Sequence, residues 1–354
     1  VVNFLSLLQE GFKKKASDIF IISGLGVSFK CGGIIASDEG NVLLAADTER
    51  IIKEAYAMAE RSSDRLSELG DDDFSVSVKG LSRFRISAYK QRGSLAAVIR
   101  IVPFEIPDYK NLNIPENIMA ISEKTKGLVL VTGPAGGGKS TTLTCIINKI
   151  NNTRSGHIIT LEEPIEYLHR NAKSIISQRE VRADTEGYVP ALRAALRQSP
   201  DVILVGEMRD YETISTAMTA AETGHLVIST LHSVGAANTI NRIIDVFPSN
   251  QQQQIRIQLS QLLQSVISQK LIPSVDGALI PAFEIMHCNN AIRNMIRESK
   301  VHQIDTIINA SSATDGMMGM DNNIMKLFKS GKISRENALA FAETPELMER
   351  KFNA

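Results

Sequence analysis

The chain has no tryptophan, and its aromatic side chains are limited to 12 Phe and 6 Tyr among 354 residues. That leaves no evident basic, aromatic platform on which unpaired bases could stack, which argues against a nucleic-acid partner. Cysteine is equally sparse. The three present, Cys31, Cys145 and Cys288, have no C-x-x-C spacing and no paired framework. A structural zinc element and a disulfide scaffold are therefore not expected, and a reducing compartment is. Neither sign of charge prevails, because 39 Lys and Arg balance 39 Asp and Glu. No overall basic field draws the molecule to nucleic acid or to an anionic membrane, although a local patch remains open. No apolar run approaches transmembrane length and no signal peptide is recognisable. The expectation is a cytoplasmic protein whose work at a membrane needs a partner.

What is present is an ordinary globular composition, 43% hydrophobic and 22% charged, with enough length for two to three domains. One stretch organises the rest. A β-branched apolar run at residues 128–131 meets a loop bearing Gly133, Pro134, Ala135, Gly136, Gly137 and Gly138. Lys139, Ser140 and Thr141 follow and open a helical pattern through Leu143, Ile146 and Ile147. This is G-x-x-x-x-G-K-S between a strand and a helix, the context that gives the phosphate-binding loop its meaning. Glycines let successive backbone N–H groups face phosphate oxygens, and the helix N-terminus adds partial positive charge. Lys139 would neutralise β/γ-phosphate charge and the Ser140 hydroxyl would hold Mg²⁺.

Residues 1–103 read as a small α+β domain. A helical stretch near residues 4–12 precedes short strands at 19–22, 27–30 and 73–78, with one helical pattern over 48–69 between them. In the sequence SRFRI, strand alternation puts Arg83 and Arg85 on one face and Phe84 and Ile86 on the other. Arg92 precedes the next strand, 95–102, and Arg100 lies near its end. Two readings stand side by side: a solvated strand face, or guanidinium forks that reach phosphates across a domain or subunit boundary. Pro103, Pro107 and Pro115 punctuate a short, partly stiffened linker at 104–115.

Residues 116–354 form the second domain. Strands at 157–161, 202–205 and 226–231 each end in polar residues, respectively Glu162 and Glu163, Glu207, and His232. Helical stretches at 189–197 and 210–223 separate them, which implies a mostly parallel sheet covered on both faces. Ligands of such sheets bind beyond the carboxyl ends of the strands. Hydrolysis of ATP needs a held metal, stabilised phosphate charge and an oriented water, and Glu207 fits an acid acting on Mg²⁺ or its water shell. Only one of the adjacent Glu162 and Glu163 can face the nucleotide if the strand extends that far. His232 could sense the γ-phosphate or be structural, and His225 could cap the preceding helix or touch the site. From about residue 250 the pattern reads as helical: Ile255, Leu259, Leu262, Leu263, Val266, Ile267 and Leu271 recur at three and four. More helices are expected at 291–300, 323–329 and 336–343, with a loop at 310–321.

Four ordered motifs resemble the secretion ATPase superfamily, and within it the PilT-type pilus-retraction ATPases. GPAGGGKST is similar to its Walker A, ITLEEPIE to its acidic Asp box, PDVILVGEMRD to its Walker B and TAAETGHLVISTLHS to its His box. AIRNMIRE at 291–298 resembles a helix motif of the retraction branch. The sequence departs from the family pattern at Ala135 and Gly137, where Thr and Ser are usual, and at Glu163, where Asp is usual. The resemblance implies an α/β fold: a RecA-like P-loop domain with a parallel sheet and C-terminal helices, beside a smaller PAS-like α+β domain. It implies a homohexameric ATPase requiring ATP and Mg²⁺, at the cytoplasmic face of the inner membrane, driving a pilus platform protein to retract type IV pili. It also implies Glu162 as the water-activating carboxylate, Glu207 as the Walker B acid, His232 as the His-box residue, and Arg83, Arg85 and Arg100 as nucleotide contacts. Pilus-assembly and type II secretion ATPases are the nearest alternative, and these commonly carry a tetracysteine element that three cysteines cannot supply. A slow nucleotide-gated regulatory module is the alternative of a different class.

Overall fold

The computed structural model describes residues 3–102, 105–310 and 316–352. Pro103, the expected end of the first domain, and residues 311–315 of the expected loop lie outside the described residues. Packing divides the chain into two units, the first being Val1–Glu105 with Ile165–Leu168 and the second the remainder.

The first unit is built on six strands, β1 (Asp18–Ile21), β2 (Gly26–Cys31), β3 (Ile34–Val42), β4 (Asp71–Val78), β5 (Ser82–Gln91) and β6 (Ser94–Val102). They form one antiparallel sheet in the order β3-β2-β1-β6-β5-β4. Strand alternation decides its two faces. Ile19, Phe84, Ile86 and Ile99 are fully buried and share a core with Phe4, Leu7 and Leu8 of helix Phe4–Lys13 and Ile51 and Ile52 of helix Ala45–Met58. The helical pattern expected over 48–69 is two helices, not one. The first ends at Met58, Glu60 adopts φ 50°, and a second runs Asp64–Leu69. The break lets Arg61 turn toward Asp72, whose buried carboxylate takes a 2.9 Å ion pair from it and a 3.0 Å hydrogen bond from the Tyr56 hydroxyl. A buried carboxylate without such partners would be strongly destabilising.

The second unit carries β7 (Gly127–Thr132), β8 (His157–Glu162), β9 (Ile175–Glu180), β10 (Val202–Val205), β11 (Leu226–Leu231), β12 (Leu263–Pro273) and β13 (Leu279–His287). The order is β13-β12-β7-β11-β10-β8-β9, parallel throughout except for the antiparallel pairing of β13 with β12. Successive residues of the central strands feed different cores, as a doubly covered sheet requires. Val129, Val131, Ile158 and Ile228 pack on Leu143, Ile146 and Ile147 of helix Lys139–Thr153. Leu128, Leu130, Ile203 and Val227 pack on the other side with helices Tyr188–Ala195, Tyr211–Glu222 and Ala236–Asp245. From Ile106 the Pro-punctuated segment belongs to this unit, with Tyr109 and Leu112 packed against its core and Ile114 inside it.

The helical reading of residues beyond 250 is corrected in one place. Helix Gln252–Leu262 stops, and residues 263–287 form the β12–β13 hairpin instead. The physical reason is burial on both faces. β12 lies between β7 and β13, so apolar residues occupy both parities and Ser265, Ser268 and Gln269 break them into a spacing that imitates a helix. Of the expected loop, residues 316–319 include a bridge between Met318 and Ile285, and helix Met320–Lys329 already begins at the next residue.

Candidate nucleotide site

Four neighbouring strands bring the site together. Thr132 at the end of β7 pairs with Leu231 of β11, and Val205 at the end of β10 pairs with both Ser229 of β11 and Leu161 of β8. The residues that follow these ends are Gly133, His232, Gly206 with Glu207, and Glu162. All four lie at one edge of the sheet, in the order in which the strands lie side by side.

The loop after β7 is shaped by backbone that only glycine tolerates. Gly133 has φ 139° and Gly138 φ 81°. A Cβ on Gly133 would stand 2.1 Å from the carbonyl oxygen of Gln269, and one on Gly138 would stand 2.7 Å from the Gln269 Nε2. Gly136, at φ 73°, meets no such obstacle, so there the requirement is conformational alone. The loop delivers the chain into helix Lys139–Thr153, whose N-cap is Gly138, a residue with no side chain to cap it. The loop therefore lies at the positive end of a 15-residue helix, where an anion is favoured. Lys139 is buried, and its ammonium donates to the carbonyl oxygens of Gly133 (3.0 Å) and Pro134 (2.8 Å). The loop therefore already holds its own cation against the seat where phosphate charge would lie. Ser140 and Thr141 follow on the same first turn, both half-buried.

Glu207 is held by straps rather than by a strand. Gly206 N–H donates to the Leu161 carbonyl at 2.7 Å, the Thr230 hydroxyl donates to the Gly206 carbonyl at 2.6 Å, and Met208 N–H donates to the Thr230 carbonyl at 3.0 Å. A side chain at 206 would collide with the Tyr188 hydroxyl, 2.9 Å from its Cβ. Fixed in this way, the Glu207 carboxylate accepts a 2.6 Å ion pair from Arg209 Nε and lies 3.4 Å from His232 Nε2. Two of the residues singled out in the sequence are thus in direct contact, and Arg209 joins them.

Glu162 closes β8. Its Oε1 accepts from the Thr160 hydroxyl at 2.6 Å and from Gln178 Nε2, on β9, at 3.2 Å. Glu163, already past the strand, turns to Arg182 Nε at 2.8 Å. Because β8 ends at Glu162, the two glutamates are separated by the change of direction after the strand and not by strand alternation, and each has its own partners. Tyr188 registers all of them: burial first, then the carboxylates of Glu207, Glu163 and Glu162, push its phenol pKa upward. Its hydroxyl remains a proton donor beside the acidic strand ends.

His225 takes the capping role. Its Nδ1 lies 3.0 Å from the Ala220 carbonyl at the end of helix Tyr211–Glu222, at the opposite end of β11 from His232. In the first unit, Arg85 and Arg100 are directly paired across β5 and β6, and Arg83 shares their face, opposite Ser77. Arg100 Nε meets Asp18 at 2.9 Å, and Arg83 Nη1 lies 3.5 Å from the Ser77 hydroxyl.

Several site residues were not singled out in the sequence: Gln178 behind Glu162, Tyr188 beside Glu207 and Gln269 behind the loop lie outside the four motifs, while Thr160 and Arg209 lie inside ITLEEPIE and PDVILVGEMRD with nothing there to mark their contacts. On the hairpin, Ser268 Oγ accepts the Gly235 N–H at 3.0 Å and Glu284 Oε1 the Ala236 N–H at 2.7 Å, which fixes the turn that follows His232. One signal existed for the hairpin residues, namely polar side chains set inside an apolar run.

A family model described as type II/IV secretion system protein matches residues 3–322. The chain belongs to that family. Among relatives, this secretion-system protein is 43% identical over 345 residues to the type IV pilus retractation ATPase PilT of Pseudomonas aeruginosa, covering 98% of this chain and 99% of the relative. It is 46% identical over 277 residues to a twitching motility protein of Neisseria gonorrhoeae, covering 78% and 74% of the two chains. A solved structure described as the pilus retraction motor PilT with bound ADP superposes with a TM-score of 0.90 at 44% identity, covering 99% of this chain and all of the other.

Among the described residues no group of three or more His, Cys, Asp or Glu is placed to hold a metal ion, and no helix is long and apolar enough to cross a membrane. A magnesium ion fits the donor set in a narrower way. One hydroxyl, Ser140, and one carboxylate, Glu207, suit an ion that keeps most of its coordination for phosphate oxygens and water.

Proposed function

We propose that this chain is an ATP-hydrolysing motor subunit that drives retraction of type IV pili. The observation that carries the reading is the row of strand ends. A glycine loop leading into a helix N-terminus stands in line with His232, Glu207 and Glu162 on neighbouring strands, in a chain closely similar in fold to a retraction ATPase.

In this reading the N–H groups of Gly136, Gly137, Gly138, Lys139, Ser140 and Thr141 receive the phosphates, and Pro134 and Ala135 complete the loop around them. Lys139 moves from the loop carbonyls onto β/γ-phosphate oxygens, exchanging neutral acceptors for charged ones. Ser140 and Glu207 would hold Mg²⁺, partly through water, and the ion would supply positive charge to offset that of the phosphates. Glu162 accepts a proton from the attacking water, with Thr160 and Gln178 keeping its carboxylate in one orientation. His232, in contact with Glu207, senses whether the γ-phosphate is present. Arg83, Arg85 and Arg100 are assigned to the nucleotide's phosphates, on the strength of the SRFR resemblance and the suitability of guanidinium for phosphate oxygens. Six copies would form a ring at the cytoplasmic face of the inner membrane and turn a platform protein there.

Steady-state phosphate release with purified protein tests the chemistry. Wild-type protein is expected to hydrolyse ATP only when Mg²⁺ is supplied. Lys139→Ala should abolish turnover, and Glu162→Gln should retain ATP binding while turnover falls at least about a hundredfold, the usual scale for losing a general base. Undiminished turnover in Glu162→Gln would remove that residue from the mechanism.

A further inference from the structure

Among the buried polar residues that the proposed chemistry does not use is Gln269. It is 2% exposed and belongs to β12, a strand with no motif of its own. Parallel pairing of β12 with β7 ends at Ser268 opposite Thr132, so Gln269 stands directly beside Gly133, where the phosphate loop begins.

Three parts of this residue meet the loop. Its carbonyl oxygen occupies the space that any side chain on Gly133 would need. Its Oε1 accepts a 2.7 Å hydrogen bond from the Thr142 hydroxyl, on the first turn of helix Lys139–Thr153. Its Nε2 lies against Gly138, the N-cap of that helix. One residue from a strand outside the loop thus packs closely against its entry and its exit and is hydrogen-bonded to the helix that follows. A glutamine used merely to fill the core would be an expensive choice, because a buried amide must be paired and an apolar residue of similar size would not.

We propose that Gln269 is a positioning residue for the nucleotide: it holds Gly133 and Gly138 at the spacing in which the loop's N–H groups converge on phosphate. The role rests on the nucleotide reading above, and it adds a strand outside the loop to the binding machinery. The next residue extends the point. Ser268 holds the turn after His232 through the Gly235 N–H, so β12 supports both the phosphate loop and the His232 turn from adjacent positions.

Two substitutions separate positioning from packing. Gln269→Leu keeps the volume and removes the amide, and Gln269→Glu keeps an acceptor for Thr142 but sets a carboxylate oxygen beside Gly138. The readout is the dissociation constant of a fluorescent ADP analogue on full-length protein, with kcat and KM for ATP and the melting temperature measured alongside. Gln269→Leu is expected to weaken binding about tenfold, the scale of one lost buried hydrogen bond, while kcat at saturating ATP falls less than about threefold. Gln269→Glu is expected to weaken it further, and to recover affinity as pH falls from 8 to 6, a dependence absent from the leucine variant. Thr142→Val, which alters no volume, should reproduce the weakening and add little to it in the double variant. Variants that bind within twofold of wild type, or that lose kcat while binding is unchanged, overturn the role of Gln269. Wild-type protein that binds no nucleotide overturns the functional reading instead, and this inference with it.

Discussion

Glu284 shows how much a single buried carboxylate can do away from the chemistry. It sits on β13, 5% exposed, and accepts the Ala236 N–H that opens helix Ala236–Asp245. Burial raises its pKa from 4.5 to about 7; the Ala236 hydrogen bond opposes this, Glu343 and Asp305 add to it, and Lys270 subtracts. The folded chain therefore binds this proton more tightly than the unfolded one. The stabilisation it brings is complete below about pH 4.5 and is lost as pH rises through about 7, amounting to about 3 kcal/mol across that window. Glu284→Gln keeps an acceptor for Ala236 and cannot ionise. Its melting temperature is expected to overtake that of wild type between pH 5 and pH 8, and two curves that stay parallel over that range would contradict the assignment. At this scale the sequence was informative wherever function demands a residue type at a fixed spacing. Lys139, Ser140, Glu162, Glu207 and His232 stand out because a glycine loop or a strand end announces them. Gln178, Gln269 and Glu284 do not, because a supporting contact is defined by three-dimensional register and leaves no spacing in the chain; Thr160 lies inside ITLEEPIE, but nothing there marks it as the partner of Glu162.

Between elements, the β12–β13 hairpin is the piece that pattern alone misassigns. Burial on both faces erases the period-two signal, and the edge strands β3 and β9 escape notice for their own reasons of composition: IIASDEGNV carries few buried positions and IISQRE is polar. By contrast β10 and β11 were legible to the residue, since each is a short continuous apolar run bounded by turn residues. The helix Asn290–Arg297 makes a sharper test of what an amphipathic pattern means. Ile292 and Ile296 are wholly buried, as their spacing requires. Its two arginines, however, are not equivalent. Arg293 Nη1 donates to the Ser260 and Gln261 carbonyls at 2.6 and 2.9 Å, serving the C-terminal end of helix Gln252–Leu262, where positive charge is favoured. Arg297 is exposed, and its guanidinium bonds Asn294 on its own helix. Arg293→Ala is expected to lower stability by about 1–2 kcal/mol in urea titrations, against less than about 0.5 kcal/mol for Arg297→Ala. Equal losses would mean that the capping contact contributes nothing. If the helix also contacts a partner, Arg297 is the arginine available for it, and Arg297→Ala should leave ATP turnover near wild type.

For the whole molecule, the second unit's α/β order was legible in strands that alternate with helices, whereas the assignment of Ile165–Leu168 to the first unit left no mark in the sequence. Composition argued only against a nucleic-acid partner; the mechanical partner came from the motif resemblance. What the chain could not display in one dimension is the side-by-side order β7-β11-β10-β8, which is not the order of the strands along the sequence. That order converts four separate polar strand ends into one site, and it is the reason the reading moves from nucleotide binding to hydrolysis and force. The most direct measurement is a count of surface pili on cells in which Glu162→Gln replaces the wild-type chain. Retraction powered by this site expects excess, unretracted pili, as in cells lacking the protein; pili that are absent, or as numerous as in wild type, would contradict it.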